Sequence, residues 1–485
     1  MNLQNNHGTC PLNSNSQAKT SNIEDTFDVV IIGAGIGGYV CAIKCAQLGL
    51  KTMIVEKNSF GGVCLNIGCI PTKALLKTAK VFDQIMKAEK FGIEFENDPK
   101  PKLNWSKAQD RKNAVVKKLT TGVEYLLKKN KVTIIKGEAE VASRNILAIN
   151  DKNYQFKNIV IATGSVPITL NLPGFEKGYA AGKIITSTEA LALPKIPKSI
   201  VIIGGGVIGV EFACLYAQLG AKVTLLQGLP TILEMLDEDI IAEMTKVIVN
   251  KYAIDLITDA KVKELSNNEL VYEANGKEQK VSADYILQSV GRKTVIKGFD
   301  NLNLKMTERN AVEVNDYCET NIDGVYAIGD VTGKSMLAHV ASHQGLVVAN
   351  RIAKNLDLKM NYDRIPSCIY TSPEIAAIGK TEKQLKDDNV KYEKFNFPFA
   401  AIGKALADDD SVGFVKLIMD PETKALLGAH IIGNRATEMI SEITTLIECE
   451  GTIYELARAI HPHPTMSEAI GEAAEALESG KPLNL

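Results

Sequence analysis

DVVIIGAGIGG, residues 28–38, is the stretch that decides the fold. Its apolar run breaks into three spaced glycines, a helical pattern follows, and a second apolar run ends on Glu56. Glycines at this spacing permit a tight turn and a close approach of the backbone to a pyrophosphate, and the acid can bind a ribose diol. We therefore predict a dinucleotide-binding βαβ unit in which Gly33, Gly35, Gly38 and Glu56 bind the cofactor.

The same pattern recurs in SIVIIGGGVIG, residues 199–209. The strand that follows ends on Gln227, where a carboxylate is expected. We predict a second dinucleotide site formed by Gly204, Gly206, Gly209 and Gln227. No lysine or arginine lies within residues 227–234 to bind a 2′-phosphate, so NAD is expected here rather than NADP.

Between the two patterns lies GGVCLNIGCIPTK, residues 61–73, which holds Cys64 and Cys69 in a glycine-rich turn before an apolar helix. Helical spacing brings the two sulfurs within disulfide reach, and a helix start favours thiolate. Spacing alone does not distinguish a redox pair from two small hydrophobic residues in a packed turn. A dithiol between two dinucleotide sites, however, predicts electron transfer between a nicotinamide, a flavin and a disulfide.

Composition narrows the class of protein. The chain has 485 residues, with 55 lysines and arginines against 57 aspartates and glutamates. This balance argues against nucleic acid as a partner, and no apolar run is long enough for a membrane span. Nine cysteines, an odd number, do not fit an extracellular disulfide framework. We expect a reducing compartment, the cytoplasm, and no metal site.

The chain resembles the flavoprotein pyridine nucleotide–disulfide oxidoreductase family from about residue 27 to the C-terminus. The resemblance rests on four motifs: GGVCLNIGCIPTK, ATG at 162–164, YAIGD at 326–330 and HPHPTMSE at 461–468. It implies an α/β fold with two Rossmann-like dinucleotide-binding domains, for FAD and NAD, and a C-terminal α+β dimerisation domain. The cysteine turn is most similar to that of family members that oxidise protein-bound dihydrolipoyl groups.

The resemblance also orders the chain into domains. A polar tail is expected first, and residues 73–129 are predicted to be helical. The expected segments are a disordered tail (1–25), an FAD-binding domain with the disulfide (26–165), an NAD-binding domain (166–290), a second FAD-binding or central part (291–360) and a dimerisation domain (361–485).

The resemblance assigns roles to individual residues. Cys69 would lie nearer the flavin and Cys64 would exchange with the substrate, while His463 would be the base that Glu468 orients; His461 is the alternative base. Lys73 would pair with Glu211 beside the flavin, although from the sequence alone both read as surface residues. Further cofactor-binding residues are expected at these positions: Lys73, Thr163, Gly164, Asp330 and Ala338 for FAD, and Glu211 and Gly291 for NAD. For Asp330, a simple turn cap is the alternative.

The implied activity is oxidation of dihydrolipoyl groups through the disulfide and FAD, with NAD⁺ as electron acceptor. The implied partners are a second copy of the chain and the lipoyl-bearing proteins of a 2-oxo acid dehydrogenase complex or the glycine cleavage system. Two alternatives stay open: a glutathione-type disulfide reductase of the same fold, and a flavin NADH oxidase or diaphorase.

Overall fold

The computed structural model describes residues 23–95 and 101–485. The first unit is built on a seven-stranded sheet in which four parallel strands continue into an antiparallel hairpin, in the order β3-β2-β1-β6-β5-β4. Its strands are β1 (Ile23–Ile32), β2 (Thr52–Glu56), β3 (Thr133–Lys136), β4 (Ala139–Ser143), β5 (Ile146–Ile149) and β6 (Lys152–Ile161). The seventh strand, Val325–Ala327, returns from much later in the chain and pairs with β6.

β1 begins earlier than expected. Residues 23–25 were predicted to end a polar tail, but they belong to the strand, and Ile23 is in register with Asn153 of β6. Strand pairing supplies hydrogen bonds that a polar composition does not reveal. The rest of the predicted tail, residues 1–22, lies outside the described residues.

Four helices accompany this sheet, and two of them correct the prediction of a helical run over residues 73–129. They are α1 (Ile36–Gln47), α2 (Gly62–Ile67), α3 (Cys69–Met86) and α4 (Trp105–Lys129). α3 ends at Met86, and the short 3₁₀ turn after it (Ala88–Phe91) closes on Gly92 at φ +71°. A left-handed glycine ends helical structure, so α3 and α4 are separate.

The second unit holds a parallel sheet and a separate antiparallel one. The parallel sheet has the order β11-β10-β9-β15-β8; its strands are β8 (Ile184–Ile185), β9 (Ser199–Ile203), β10 (Lys222–Leu226), β11 (Asp255–Ile257) and β15 (Tyr285–Gln288), preceded in the chain by β7 (Ser165–Pro167). The antiparallel sheet, β12 (Lys261–Ser266), β13 (Glu269–Ala274) and β14 (Lys277–Ser282), was not predicted. The helices are α5 (Phe175–Ala180), α6 (Ser187–Ala190), α7 (Val207–Gln218) and α8 (Glu238–Lys246), which a π-helical turn (Val247–Lys251) extends.

The chain then returns to the first unit. β16 (Arg292–Thr294) pairs with β7, β17 (Val325–Ala327) joins the first sheet, and α9 (Ala338–Ala353) packs against α1. Short 3₁₀ turns lie at Asp300–Leu302 and Gly329–Thr332. The first unit is therefore discontinuous in sequence, with the second unit inserted between β6 and β17.

The C-terminal unit is an antiparallel sheet covered by helices, in the order β18-β19-β22-β21-β20. Its strands are β18 (Ser367–Ile369), β19 (Glu374–Gly379), β20 (Glu393–Pro398), β21 (Phe414–Met419) and β22 (Leu426–Gly433). Its helices are α10 (Glu382–Asp387), α11 (Gly403–Ala407), α12 (Ala436–Glu448), α13 (Ile453–Arg458) and α14 (Glu468–Ser479), with 3₁₀ turns at Tyr362–Arg364 and Phe399–Ala401. α12 and α14 pack on the sheet and close a separate apolar core.

Two Rossmann-like units and a C-terminal α+β unit are the architecture that the sequence predicts, and the fold class is confirmed. The domain boundaries stay a prediction. None of the described helices has the length and apolar character that crossing a membrane requires.

Candidate active site

The two glycine loops have the same geometry. Gly33 and Gly204 adopt φ values of +104° and +108°. A Cβ on Gly33 would lie 2.3 Å from the carbonyl oxygen of Ala162, and a Cβ on Gly204 would lie 2.5 Å from that of Ser289. A Cβ on Gly38 or Gly209 would lie 1.9 Å from the oxygen of the first glycine. Only glycine fits these four positions, because any side chain would separate helix from strand.

The middle glycine of each loop has a different purpose. Gly35 and Gly206 are the N-cap residues of α1 and α7, and an added Cβ on either would meet no protein atom within 4 Å. The backbone amides at these helix starts are therefore open to an approaching anion, and a helix N-terminus favours negative charge. Both loops fit the pyrophosphate of a dinucleotide.

Glu56 and Gln227 make the same contact at the two strand ends. Glu56 Oε2 accepts a hydrogen bond of 2.7 Å from the amide of Ala34, and Gln227 Oε1 accepts one of 2.9 Å from the amide of Gly205. The amide nitrogen of Gln227 also donates to the carbonyl oxygen of Thr231 at 2.9 Å, which a carboxylate cannot do. The side-chain amide of Gln227 therefore links the second glycine loop, through its oxygen, to the segment at Thr231, through its nitrogen.

Cys64 and Cys69 form a disulfide, with their Cα atoms 4.7 Å apart. We expected one helix to hold both cysteines, but the structure has two. Cys64 belongs to α2, Gly68 interrupts the helix, and Cys69 is the first residue of α3. The turn packs directly on the first nucleotide loop, since a Cβ on Gly62 would lie 2.7 Å from the Cα of Gly35. Both cysteines are half-buried.

Lys73 and Glu211 meet across two units of the fold. Lys73, one turn into α3, has its Nζ 3.0 Å from each carboxylate oxygen of Glu211 on α7. The Glu211 side chain is 5% exposed and that of Lys73 29% exposed. A carboxylate this deeply buried requires a cation beside it, so the pair joins the disulfide helix to the second nucleotide unit.

The remaining predicted residues of the first unit line the same cavity as the disulfide. Thr163 donates its hydroxyl to the Val295 carbonyl oxygen, and Gly164 follows at φ +70°. Asp330 accepts a hydrogen bond from the Ser165 hydroxyl, so it is bonded across the fold rather than merely capping its own turn. Ala338 begins α9.

One cavity of about 1830 Å³ connects these groups. Of the predicted site residues, the following line it: Gly33, Gly35, Gly38, Glu56, Cys64, Cys69, Lys73, Thr163, Gly164, Gly204, Gly206, Glu211, Gln227, Gly291, Asp330 and Ala338. Gly209 lies behind the second loop, where it packs helix on strand. Both nucleotide loops and the disulfide therefore open into the same cavity.

His463 and Glu468 lie elsewhere, on the C-terminal unit, and neither lines the cavity. His463 Nδ1 lies 2.7 Å from Glu468 Oε1, and the amide of Thr465 donates to Glu468 Oε2 at 2.8 Å. Burial raises the pKa of Glu468, but the hydrogen bonds from His463 and Thr465 outweigh it and the net pKa is lowered. His461 instead bonds Glu442 through Nε2 at 2.8 Å. Glu468 is thus an anion that orients the His463 ring.

Comparison with known proteins decides the family. The family model described as pyridine nucleotide-disulphide oxidoreductase matches residues 27–345, and the model of that family's dimerisation domain matches residues 365–474. The chain belongs to the pyridine nucleotide-disulphide oxidoreductase family. The resemblance found in the sequence is confirmed, and FAD and NAD are the cofactors that the two open glycine loops accommodate.

Curated relatives agree along nearly the whole chain. The chain is 43% identical over 450 residues to a dihydrolipoyl dehydrogenase of Mycoplasma genitalium, covering 93% of this chain and 98% of the relative. It is 42% identical over 468 residues to a dihydrolipoyl dehydrogenase of Geobacillus stearothermophilus, covering 94% and 97%.

Two solved structures have a similar fold. The HOCl-induced flavoprotein disulfide reductase RclA of Escherichia coli superposes with a TM-score of 0.81 at 27% identity, covering 92% of this chain and 99% of that one. LpdA of Mycobacterium tuberculosis superposes with a TM-score of 0.83 at 21% identity, covering 93% and 99%, and it supports the fold alone.

Two cavity-lining residues, Arg292 and Tyr370, were not predicted as site residues from the sequence. Arg292 donates from Nε to the Ser165 hydroxyl and from Nη2 to the Ser165 carbonyl, both at 2.7 Å, and so supports the group that bonds Asp330. Tyr370, in the C-terminal unit, lines the cavity beside Lys73. From the sequence, Arg292 is only a residue that follows a predicted strand, and Tyr370 is a residue within the strand predicted at 367–371. Neither position reveals a partner that is distant in the chain.

An acidic cluster apart from this site contains its own cation. Asp237, Asp239 and Glu382 converge on Lys416, whose Nζ lies 2.6 Å from each aspartate and also bonds Glu382. The Lys416 side chain is fully buried. Burial lowers the pKa of Lys416, but the three carboxylates outweigh it and the net pKa is raised. The ammonium occupies the centre that a metal ion would need.

Proposed function

We propose that the chain oxidises protein-bound dihydrolipoyl groups to lipoyl groups, with NAD⁺ as the final electron acceptor. The observation that carries this proposal is that the Cys64–Cys69 disulfide and both dinucleotide loops line one cavity. The two curated relatives described above are dihydrolipoyl dehydrogenases at 42–43% identity, which supports this substrate over other thiols.

The chemistry begins with thiol–disulfide exchange. A thiolate of the substrate dithiol attacks Cys64 Sγ; the Cys64–Cys69 bond breaks, a mixed disulfide forms and Cys69 leaves as a thiolate. The second substrate thiolate attacks the substrate sulfur of that mixed disulfide and releases Cys64. Two electrons pass from the dithiol to the cysteines, and lipoyl disulfide is the product. Bound FAD would supply the redox chemistry that connects the reduced cysteines to NAD⁺, which would accept the electron pair as hydride.

His463 removes the protons that the exchange releases. A thiol must ionise before it attacks, and a neutral imidazole whose Nδ1 faces the Glu468 carboxylate leaves Nε2 free to accept a proton. His463 does not line the cavity that holds the disulfide of its own chain, and its side chain is exposed. We therefore infer a homodimer in which each C-terminal unit completes the partner's site.

The roles of the remaining residues follow from their positions. Lys73 and Glu211 form a fixed ion pair on the cavity wall, and a held cation favours negative charge that develops beside it. FAD would be held by the first loop together with Glu56, Thr163, Gly164, Asp330 and Ala338, and NAD by the second loop together with Gln227 and Gly291.

The domain limits expected from the sequence, residues 26–165, 166–290, 291–360 and 361–485, are part of this proposal, as are lipoyl-bearing partners in a multienzyme complex. So is the cytoplasm. Cys41 and Cys45, buried with their sulfurs in hydrogen-bond contact at 3.9 Å, are not joined by a disulfide, which fits a reducing compartment.

The proposal is tested with purified protein and both thiol substrates. We expect NAD⁺-dependent oxidation of dihydrolipoamide and no NADH-dependent reduction of glutathione disulfide. The reverse preference would overturn the substrate assignment in favour of a glutathione-type reductase. A third outcome would favour an oxidase. The wild-type protein would then oxidise NADH with oxygen or a quinone but use neither thiol substrate, and the Cys64→Ser protein would keep the NADH-oxidising activity.

A further inference from the structure

Tyr370 contacts both members of the Lys73–Glu211 pair. Its backbone amide donates to Glu211 Oε1 at 2.9 Å, and the Nζ of Lys73 lies 4.5 Å from the centroid of its ring. An ammonium within about 6 Å of an aromatic centroid is attracted by the negative face of the ring. One residue therefore fixes the carboxylate from the backbone and the cation from the side chain.

The segment that holds Tyr370 is itself fixed by the second unit. Tyr370 lies between β18 and β19, where the Ser372 carbonyl oxygen accepts hydrogen bonds from the Tyr252 hydroxyl at 2.6 Å and from Lys251 Nζ at 3.1 Å. Thr371, which is 4% exposed, bonds the Pro373 carbonyl oxygen at 2.6 Å. The contacts from Lys251 and Tyr252 lie at the end of the π-helical turn that extends α8, so the ring under Lys73 is positioned by two units of the fold.

The pair needs such support. Glu211 is almost fully buried, whereas Lys73 keeps nearly a third of its side chain exposed on the cavity wall. A lysine ammonium on four methylene groups has many rotamers, and water in the cavity competes for it. Contact with the ring restricts the ammonium to the side of the cavity where Glu211 lies.

We propose that Tyr370 is a positioning residue that holds the Lys73 ammonium against Glu211 on the wall of the redox cavity. It acts through the π face of its ring and through its backbone amide, and its hydroxyl is not needed. The inference rests on the proposed function, because its kinetic consequence is slower oxidation of dihydrolipoamide. It adds a role for the C-terminal unit of the same chain at the redox site.

A graded series of ring substitutions tests this. Tyr370→Phe keeps the ring and the backbone hydrogen bond and serves as the reference. Replacing that phenylalanine by its 4-fluoro, 3,5-difluoro and 3,4,5-trifluoro analogues withdraws electrons from the ring without changing its shape. We expect kcat for dihydrolipoamide oxidation to fall stepwise, and Tyr370→Leu to reach a loss of about 2- to 30-fold. A rate that does not change along the series overturns the proposal.

A second measurement does not depend on turnover. The midpoint potential of the bound flavin should fall along the same series, because a less firmly held cation stabilises the reduced state less. In a Lys73→Met background the substitution series should leave the flavin potential unchanged, because no ammonium remains to interact with the face of the ring. Equal shifts in both backgrounds would overturn the proposal. If the wild-type protein fails to oxidise dihydrolipoamide, the proposed function falls, while the potential series still decides the role of Tyr370.

A matched control separates positioning from folding. Tyr252→Phe removes a hydrogen bond to the same segment, at Ser372, but Tyr252 does not contact Lys73. Its flavin potential should match that of the wild-type protein even if its melting temperature falls. A potential shift in Tyr252→Phe as large as that in Tyr370→Leu would assign the effect to loosening of the segment, against the proposal.

Discussion

The imidazole of His463 lies 2.7 Å from the Glu468 carboxylate, yet 78% of the His463 side chain is exposed. The Glu468 carboxylate holds the His463 ring in one orientation, while the rest of the ring is open to solvent. This is the geometry expected of a proton acceptor that completes a site on a neighbouring molecule. The proposed homodimer would bring it to the partner's disulfide.

Mixed dimers test this sharing. We expect a Cys64→Ser/Cys69→Ser protein and a His463→Ala protein, each inactive alone, to regain about a quarter of wild-type activity when unfolded and refolded together. Random pairing makes about half the dimers mixed, and each mixed dimer has one intact and one doubly defective site. Activity that stays at the level of the separate mutants would mean that each site is built within one chain.

The two cysteines should separate chemistry from cofactor binding. Cys64→Ser and Cys69→Ser should each lower dihydrolipoamide oxidation by at least about 10³-fold, the scale seen when a nucleophile is removed, while FAD remains bound. Cys64→Ser should retain a long-wavelength absorbance of the Cys69 thiolate against the flavin, and Cys69→Ser should lack it. The exposed Cys449, mutated to serine, is the control and should keep full activity. Interchanged spectra would reverse the two assignments.

Gln227 should affect both selectivity and stability. It repels a 2′-phosphate less than a carboxylate would, so we expect NAD preference with weak rejection of NADP. Gln227→Glu should raise the ratio of kcat/KM for NAD over NADP. The same change removes the donor to the Thr231 carbonyl and should lower the free energy of unfolding by about 1–3 kcal/mol. A variant with unchanged selectivity would contradict the first expectation, and unchanged stability the second.

His461 should make stability depend on pH. Its hydrogen bond to Glu442 is the main cause that raises its pKa above 6.5, although burial opposes the shift. A raised pKa in the folded state gives stability that is complete below the unfolded pKa and is lost as pH rises through the folded pKa. Glu442→Gln should therefore lower the melting temperature more at about pH 6 than at about pH 9.

The control for this experiment lies on the same helix. Glu448 lies 3.7 Å from Arg364 and pairs with no histidine in the described part of the chain, so Glu448→Gln should have the same effect at both pH values. A pH-independent effect of Glu442→Gln would show that the His461–Glu442 pair does not titrate as described.

The sequence predicts the nucleotide loops well for a physical reason. At Gly33 and Gly204 the backbone conformation and a neighbouring carbonyl oxygen exclude any side chain. The fold therefore requires glycine at these positions, and the spacing of the glycines in the sequence predicts the loops. The strand ends at Glu56 and Gln227 follow from the same βαβ unit.

The details missed from the sequence depend on contacts between distant segments. Cys64 and Cys69 lie on separate helices because Gly68 interrupts, which helical periodicity does not show. Tyr370 contacts Glu211, 159 residues earlier in the chain. The pairing of Lys73 with Glu211 was predicted through the family resemblance, since each residue alone reads as a surface charge.

Lys416 of the C-terminal unit forms buried ion pairs with the second nucleotide unit, so the sequences of the two units depend on each other at this contact. Two of its three carboxylates, Asp237 and Asp239, belong to the second unit, and Asp237 is 1% exposed. Removing one partner of a buried ion pair typically costs 3–5 kcal/mol. A recombinant gene that joins this second unit to a C-terminal unit without the lysine would leave a buried anion unpaired. We therefore expect chimeras of related proteins to fold stably only when Lys416 and its two aspartates are taken from the same parent or are present in both parents.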